Sequence, residues 1–201
     1  MGSEMELAFS NERFYCWGRE SQGGTYLLRL LVSQPLLVRF GRFRDGKSVA
    51  VPQGNYFYVG SALAQKGATS LARRLLRHAS RSDGQKPHPI RQQMLGLFPQ
   101  IGLGPTPLHP PADKKLRWHV DFLLDEPAVM LTAVSLIRAP YRFEEPLSRW
   151  LLDLPEVTPL VPGLGATDDP GSTHLLRVTD VSNWWTLFPA QLAAFLRNTT
   201  A

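Results

Sequence analysis

The sequence has almost no cysteine. Cys16 is the single cysteine in 201 residues, so an intramolecular disulfide is excluded. The chain also has no apolar run close to the roughly 20 residues that a membrane-spanning helix requires. Its N-terminus lacks the charged, apolar and small-residue pattern of a signal peptide. From these absences we expect a cytoplasmic protein that has no membrane contact.

Acidic residues are scarce in one part of the chain. Between Lys66 and Arg91 there are seven lysines and arginines against one acid, Asp83. The whole chain has a formal net charge of +5 and a pI near 9.7. This imbalance favours a polyanionic partner, and nucleic acid is the partner that we expect. The alternative is an ordinary solvated helix face.

Hydrophobic residues make up 43% of the chain, which is enough to bury a full core. We expect one domain at 23–180 between an N-terminal arm at 1–22 and a C-terminal helix and tail at 181–201. The domain carries an insertion at 79–117 that is predicted to be mostly irregular, with one short helix at 90–98. The basic residues of the insertion can extend a phosphate-binding surface, and the alternative is an exposed, mobile excursion.

An aromatic stretch at 55–60 predicts a strand, because Tyr, Phe and Val suit a pleated, half-buried surface. Side chains alternate along a strand, so Tyr56 and Tyr58 share one face. One face can therefore belong to the core while the other lines a site. A looser segment then leads into a helix that begins at Thr69 or Ser70, either of which can cap it.

This predicted helix has an apolar stripe beside a basic one. The apolar stripe has four-residue spacing and consists of Leu71, Leu75 and Ala79. The neighbouring lines carry Arg73, Arg74, Arg77 and His78. A cluster of guanidinium groups is therefore expected beside the tyrosines of the preceding strand.

The remaining elements follow from the two patterns used above, alternation of apolar residues for strands and apolar spacing of three or four residues for helices. Further strands are predicted at 24–32, 36–40, 118–124, 129–138 and 173–178, and helices at 144–154 and 189–197. The strand at 36–40 is expected to form a hairpin with the strand at 24–32, and the strand at 173–178 to lie at a sheet edge.

Two pairs of polar residues fall within these elements. On the predicted strand at 118–124, His119 and Asp121 share a face, where they can hydrogen-bond, orient a water or help to hold a metal. A purely structural hydrogen-bonded pair is the alternative. Glu144 and Glu145 begin a predicted helix, where acids interact favourably with the helix dipole even without any role in a site.

Several short motifs occur in a fixed order along the chain. Gly24-Thr25-Tyr26 precedes Tyr58-Val59-Gly60, and Arg74 follows on the next helix. Together these residues resemble the GIY-YIG nuclease superfamily. The run NYFYVGSA, the R-L-x-R-H of 74–78 and the WHVD of 118–121 resemble its Uri-type branch more narrowly.

The resemblance implies an α/β (α+β) fold with a small central antiparallel sheet of three or more strands flanked by helices. It also implies hydrolysis of phosphodiester bonds in DNA with one divalent ion, Mg²⁺ or Mn²⁺. Tyr26 matches a tyrosine proposed as general base, and Tyr58 matches a second tyrosine that positions water or phosphate. Arg74 matches an arginine that clamps nonbridging oxygens. His78, one turn further along, would be a proton carrier or phosphate donor.

The metal ligand of the superfamily falls on Glu144, with Glu145 as the neighbouring candidate. A wider surface for nucleic acid comprises Lys66, Arg73, Arg77 and Arg81. Supporting positions around the site are His119, Asp121, Asp168 and His174. Two alternatives to a nuclease stay open. One is a nucleic-acid-binding module that keeps the fold without activity, and the other is a structural or protein-interaction domain whose tyrosines are core aromatics.

Overall fold

The structure is a computed structural model that describes residues 5–165, 173–179 and 184–200. Within these residues, seven strands form one sheet in the order β1-β2-β7-β3-β6-β9-β8, and β4 and β5 form a separate pair. The bounds are β1 Leu7–Ser10, β2 Phe14–Trp17, β3 Gly24–Val32, β4 Leu36–Arg39, β5 Ser48–Val51, β6 Gly54–Ala62, β7 Val129–Arg138, β8 Val157–Pro159 and β9 Leu175–Val178.

Helices cover both faces of this sheet. Their bounds are α1 Leu71–His78, α2 Ile90–Gln100, α3 His119–Leu124, α4 Glu144–Leu152 and α5 Trp184–Thr200, and a short 3₁₀ turn spans Phe43–Gly46. The predicted α/β class is therefore confirmed. Among the described residues, no helix combines the length and the apolar character that crossing a membrane would require.

The centre of the sheet follows directly from the alternation of apolar residues. In β3, Tyr26 and Leu28 enter one hydrophobic core, while Leu27 enters a second core on the opposite face. In β6, Tyr58 joins the first core and Phe57 the second. The first core is closed by α1, α2 and α3, and the second by α4 and α5. The predicted alternation along the strand is confirmed, but both of its faces are buried in hydrophobic cores.

The sheet is larger than the small one expected, and it is mixed. β3 pairs antiparallel with both β6 and β7, but β2 lies parallel to β7. The segment predicted as an N-terminal arm supplies β1 and β2, and Phe14 and Trp17 are buried there. β9 lies between β6 and β8, so the prediction of an edge strand at 173–178 is wrong.

Two other predicted elements are also wrong. The strand at 36–40 pairs with β5 instead of forming a hairpin with β3, because both edges of β3 are occupied by β6 and β7. The predicted strand at 118–124 is the helix α3. Its buried residues Val120, Leu123 and Leu124 have helical spacing, and the Asp121 carboxylate accepts the backbone N–H groups that begin the helix.

The insertion at 79–117 is packed into the domain. The predicted helix at 90–98 is confirmed as α2, and Met94 and Phe98 are fully buried in the first core. Leu103 and Leu108, in the irregular part that follows, are buried in the same core. The alternative of an exposed excursion is therefore wrong, and the insertion contributes to the same core as Tyr26.

Candidate active site

A chain of three buried polar side chains links β3, α1 and α3. The Tyr26 Oη lies 2.8 Å from His78 Nε2, and His78 Nδ1 lies 3.0 Å from Asp121 Oδ1. All three residues are fully buried. Because such groups are costly to bury without partners, their mutual hydrogen bonds are what make this arrangement tolerable.

Backbone geometry places the Tyr26 side chain against Gly60. The two residues face each other across β3 and β6, and a Cβ at position 60 would lie 2.5 Å from Tyr26 Oη. Only glycine leaves room for the phenol to lie there. Leu71 and Leu75 are fully buried and hold α1 against the sheet, which brings His78 to the hydroxyl.

Asp121 is surrounded by donors and positive charge. Its Oδ2 accepts the backbone N–H groups of Arg117 and Trp118, each at 3.1 Å. Lys114 Nζ lies 3.8 Å from Oδ1, and an Arg77 guanidinium nitrogen lies 3.5 Å from Oδ2. Burial opposes ionisation of the carboxyl, but the hydrogen bond with His78 and the positive charges lower its pKa overall. Asp121 is therefore an anion at neutral pH.

The ionised carboxylate fixes the tautomer of His78. Burial lowers the pKa of the His78 imidazole, although the hydrogen bond to Asp121 opposes the shift, so the ring is neutral at neutral pH. A carboxylate can only accept, so His78 Nδ1 carries the proton and donates it to Asp121. His78 Nε2 is then the acceptor, and the Tyr26 hydroxyl donates to it.

Tyr26 itself is held in its protonated form. Burial, followed by the neighbouring Tyr58 phenol, raises the pKa of Tyr26 well above its ordinary value. The charge of Arg74 opposes this shift and that of Glu144 adds to it. The ring centroids of Tyr26 and Tyr58 are 6.3 Å apart. The positions predicted as catalytic thus lie around one phenol, with a cation and an anion acting on it.

Three arginines surround the indole of Trp118. The guanidinium carbon of Arg74 lies 4.0 Å from the ring centroid, that of Arg77 4.8 Å and that of Arg117 5.4 Å. The edge of the indole also meets the His78 ring, with the centroids 5.7 Å apart. Arg74 is half-buried, and its Nε has no hydrogen-bond partner among the described residues. The Nε of Arg77 likewise has no hydrogen-bond partner among the described residues, but its guanidinium also pairs with Asp121.

The two adjacent glutamates at the start of α4 have different environments. The Glu144 side chain is 18% exposed, with its two oxygens 3.9 Å from His174 Nδ1 and 3.8 Å from an Arg142 nitrogen. The Glu145 side chain is 63% exposed and forms an ion pair with Arg149 one turn along the helix. Of the two candidate metal ligands, Glu144 is the one near Tyr26.

The described residues contain no cluster of three or more histidine, cysteine, aspartate or glutamate side chains that could hold a metal ion. Glu144 offers one carboxylate that is partly open to water. This donor set suits a hard divalent ion that keeps most of its water ligands, as Mg²⁺ does, and does not suit an ion held wholly by protein.

The predicted wider surface is only partly retained. Lys66 and Arg73 are exposed. Arg81 instead donates to the backbone carbonyls of Leu124, Glu126 and Val129, the last at 2.6 Å. It holds the end of α3 to the start of β7, so its guanidinium is already engaged within the domain, and its role on a nucleic-acid surface stays a prediction.

The residues predicted to support the site have different outcomes. The predicted pairing of His119 with Asp121 is wrong, because His119 Nδ1 accepts the Gly165 N–H at 3.0 Å and Asp121 pairs with His78. His174 lies beside Glu144, as the distance above shows. Asp168 lies outside the described residues.

Sequence reasoning missed two residues of this site. Lys114 is buried with its ammonium between Asp121 and Asp125, but in the sequence it is one of several basic residues before α3. Trp118 belongs to the WHVD motif, but nothing in that motif indicates its contacts with arginines. The contact with Arg74 depends on how α1 and α3 pack together, which the sequence does not reveal.

The comparison with known families assigns most of the chain. The family described as a domain of unknown function, DUF123, matches residues 25–195, a range that includes every residue of the buried chain. No curated protein and no solved structure matches the chain. Since the match extends over far more than half of its length, the chain belongs to the DUF123 family.

Proposed function

We propose that the protein is a metal-dependent endonuclease that hydrolyses phosphodiester bonds in DNA, similar to the Uri-type branch of the GIY-YIG nuclease superfamily. One observation carries the proposal. The charges of Arg74 and Glu144, which are far apart in sequence, both act on the buried phenol of Tyr26. A cation suited to a phosphate and a carboxylate suited to a metal ion are therefore both close enough to this phenol to influence its proton.

Phosphodiester hydrolysis needs an activated water and compensation for charge on the phosphoryl oxygens. The planar fork of Arg74 would donate to nonbridging oxygens, and its buried Nε, which has no partner within the described ranges, supports this role. Tyr58 would position the phosphate or the attacking water. Glu144 would hold Mg²⁺ or Mn²⁺, and a bound ion would act as a Lewis acid and lower the pKa of its water ligands.

The charge distribution supports a nucleic-acid partner. Arg73 on α1 and Lys66 before it are exposed, and Arg117 is exposed beside Trp118. Arg74, Arg77 and Arg117 lie around Trp118, and together with the exposed Arg73 and Lys66 they would form a basic surface. Such a surface would bind phosphates without regard to base sequence, and its affinity would fall steeply with salt.

A second candidate function is a nucleic-acid-binding module without cleavage activity. The observation that favours it is the enclosure of Tyr26, which is fully buried and whose pKa is well above the ordinary value. A phenolate base is disfavoured in that environment. The same basic surface would then bind DNA, while Glu144 would have no role.

A cleavage assay on linear, supercoiled and branched DNA with and without Mg²⁺ separates the two functions. For the endonuclease we expect Mg²⁺-dependent cleavage that falls roughly 10²- to 10³-fold in Arg74→Ala and in Glu144→Gln. Glu145→Gln is the matched comparison, because it makes the same chemical change one residue away on an exposed, arginine-paired carboxylate.

For the binding module, the wild type cuts no DNA, and only Arg74→Ala weakens binding. A protein that neither cuts nor binds polynucleotides in a salt-dependent way would refute both functions and favour a protein-interaction domain. Equal losses in Glu144→Gln and Glu145→Gln would contradict the assignment of Glu144 as the metal ligand.

A further inference from the structure

The buried chain ends in a carboxylate whose charge is balanced inside the protein. Asp121 receives two backbone N–H groups, the His78 ring, and the positive charges of Lys114 and Arg77. Lys114 also donates to the Ser80 carbonyl at 3.0 Å. If Asp121 only capped the start of α3, its contacts with the backbone N–H groups would be sufficient. The additional bond to His78 makes the carboxylate part of a continuous path to Tyr26.

We propose that His78 is the terminal proton acceptor of the site, that the Tyr26 hydroxyl passes the proton to it, and that Asp121 is a positioning residue that fixes the accepting tautomer. This inference rests on the proposed nuclease function, because it specifies how the attacking water loses its proton there.

The transfer balances without a free phenolate. As the attacking water gives a proton to the Tyr26 oxygen, the Tyr26 O–H bond breaks and an N–H bond forms at His78 Nε2. The water oxygen bonds to phosphorus, the bond between phosphorus and the leaving oxygen breaks, and the leaving oxygen takes a proton from solvent. The net result is one imidazolium beside the Asp121 anion, and this imidazolium later returns its proton to solvent. Tyr26 ends the step as it began, which is compatible with a phenol that resists ionisation.

Charged groups from every neighbouring element determine how easily the imidazolium forms. Tyr26 on β3 and Tyr58 on β6 face the His78 ring. Asp121 on α3 contacts it directly, and the positive charges of Lys114 and Arg74 disfavour its protonation. The only anion in contact with the ring within the described ranges is Asp121. Removing that charge should therefore alter both the tautomer and the proton affinity of His78.

Asp121→Asn tests the proposal because its amide reverses the hydrogen bond. The backbone N–H groups of Arg117 and Trp118 require the amide oxygen, so the NH₂ group would face His78 Nδ1. The imidazole would then carry its proton on Nε2 and could no longer accept one from Tyr26. We expect ¹⁵N NMR of the full chain without DNA to show the Nδ1–H tautomer of His78 in the wild type and the Nε2–H tautomer in Asp121→Asn.

Cleavage kinetics give a second readout. In the wild type the rate should rise with pH as the His78 imidazolium loses its proton. In Asp121→Asn the maximal cleavage rate should fall roughly 10²- to 10⁴-fold. The rising, acidic part of the pH–rate profile should move to lower pH, because the His78 imidazolium is no longer stabilised by the Asp121 carboxylate. Asp125→Asn is the matched control: Asp125 also pairs with Lys114 and with Ser82 but does not contact His78. It should leave the tautomer and the acidic part of the profile unchanged.

The outcomes are distinguishable. An Nε2–H tautomer in the wild type, or a wild-type tautomer and pH profile in Asp121→Asn, would overturn the inference. If Asp121→Asn does not fold, Tyr26→Phe replaces it: retention of the Nδ1–H tautomer supports Asp121 as the orienting group, and a switch overturns it. A wild type that cuts no DNA refutes the proposed nuclease and the proton transfer, whereas the NMR measurement still decides the role of Asp121.

Discussion

Replacing Gly60 with alanine should displace the phenol on which the proposed chemistry depends. Gly60 faces Tyr26 across β3 and β6, and a Cβ there would lie 2.5 Å from Tyr26 Oη and 2.6 Å from Cζ. Real Cβ atoms do not approach other atoms so closely. The obstacle is a rigid, fully buried ring and not a flexible chain end, so the contact cannot be relieved cheaply.

The size of the effect follows from these distances. Moving Cζ from 2.6 Å to the 3.4 Å at which ordinary contact begins requires a shift of about 0.8 Å. Overpacking of this kind costs about 1 to 3 kcal/mol of folding stability. A misplacement near 1 Å at a reacting group costs on the order of 10²-fold in rate. We therefore expect Gly60→Ala to fold with reduced stability and to cleave DNA about 100-fold more slowly.

Chemical denaturation of a double-mutant cycle isolates the steric term. Leucine lacks the ring atoms that the new Cβ would meet, so Gly60→Ala should cost far less in a Tyr26→Leu background than in the wild type. Gly96→Ala, at a glycine of α2 with no atom within 4 Å of the added Cβ, is the control and should be neutral or slightly stabilising. An equal cost of Gly60→Ala in both backgrounds would refute the reasoning, as would full cleavage activity.

Two further predictions concern residues outside the reacting groups. Burial lowers the pKa of His88 from 6.5 to about 3, so the unfolded chain binds the extra proton between these values and stability should rise with pH across them, by an upper bound of roughly 5 kcal/mol. His88→Gln should flatten the curve of unfolding free energy against pH, and parallel curves would contradict this. Arg81→Met should cost about 1 to 3 kcal/mol of stability and leave the salt dependence of DNA affinity unchanged. Arg73→Met should leave stability unchanged and reduce the slope of log affinity for DNA against log salt concentration by about 1. A changed slope in Arg81→Met would place Arg81 on the DNA surface after all.

The alternation of apolar residues predicted the central strands of the sheet well, but it did not predict which strands pair with each other. The alternation in β6 correctly placed Tyr56 and Tyr58 on one face, because side-chain direction along a strand depends only on position, and that face belongs to the first core. Pairing depends on distant segments. β4 follows β3 closely, yet β6 and β7 occupy both edges of β3, and no feature of residues 36–40 reveals this.

The error at α3 has a different origin. Apolar residues at alternate positions from Trp118 to Leu124 predict a strand, but Val120, Leu123 and Leu124 also fit a helix. The acid at position 121 was the missed signal, since an acid in the first turn that accepts N-terminal N–H groups favours a helix start. Reading His119 and Asp121 as neighbours on one face followed from that single error.

The candidate site was predictable only where the motif lies within one element. Arg74 and His78 are one turn apart on α1, so their proximity is a local property. The bond between His78 and Asp121 joins residues 43 positions apart, and no spacing rule indicates it. The different environments of Glu144 and Glu145 were predictable from the sequence. Arg149 lies four residues after Glu145, which is the spacing at which a surface ion pair holds a glutamate away from a site.

The insertion contributes to keeping an ionised carboxylate inside the domain, together with the His78 ring and the backbone N–H groups that contact Asp121. Burial alone would protonate Asp121, and a neutral carboxyl could donate to His78 and reverse its tautomer. Lys114, at the end of the insertion, supplies a buried positive charge 3.8 Å away. Met94 and Phe98 on α2 help to exclude water from the same core. The insertion therefore supplies one of the positive charges that keep Asp121 an acceptor, and so helps to fix the direction of the hydrogen bonds from Tyr26 to α3.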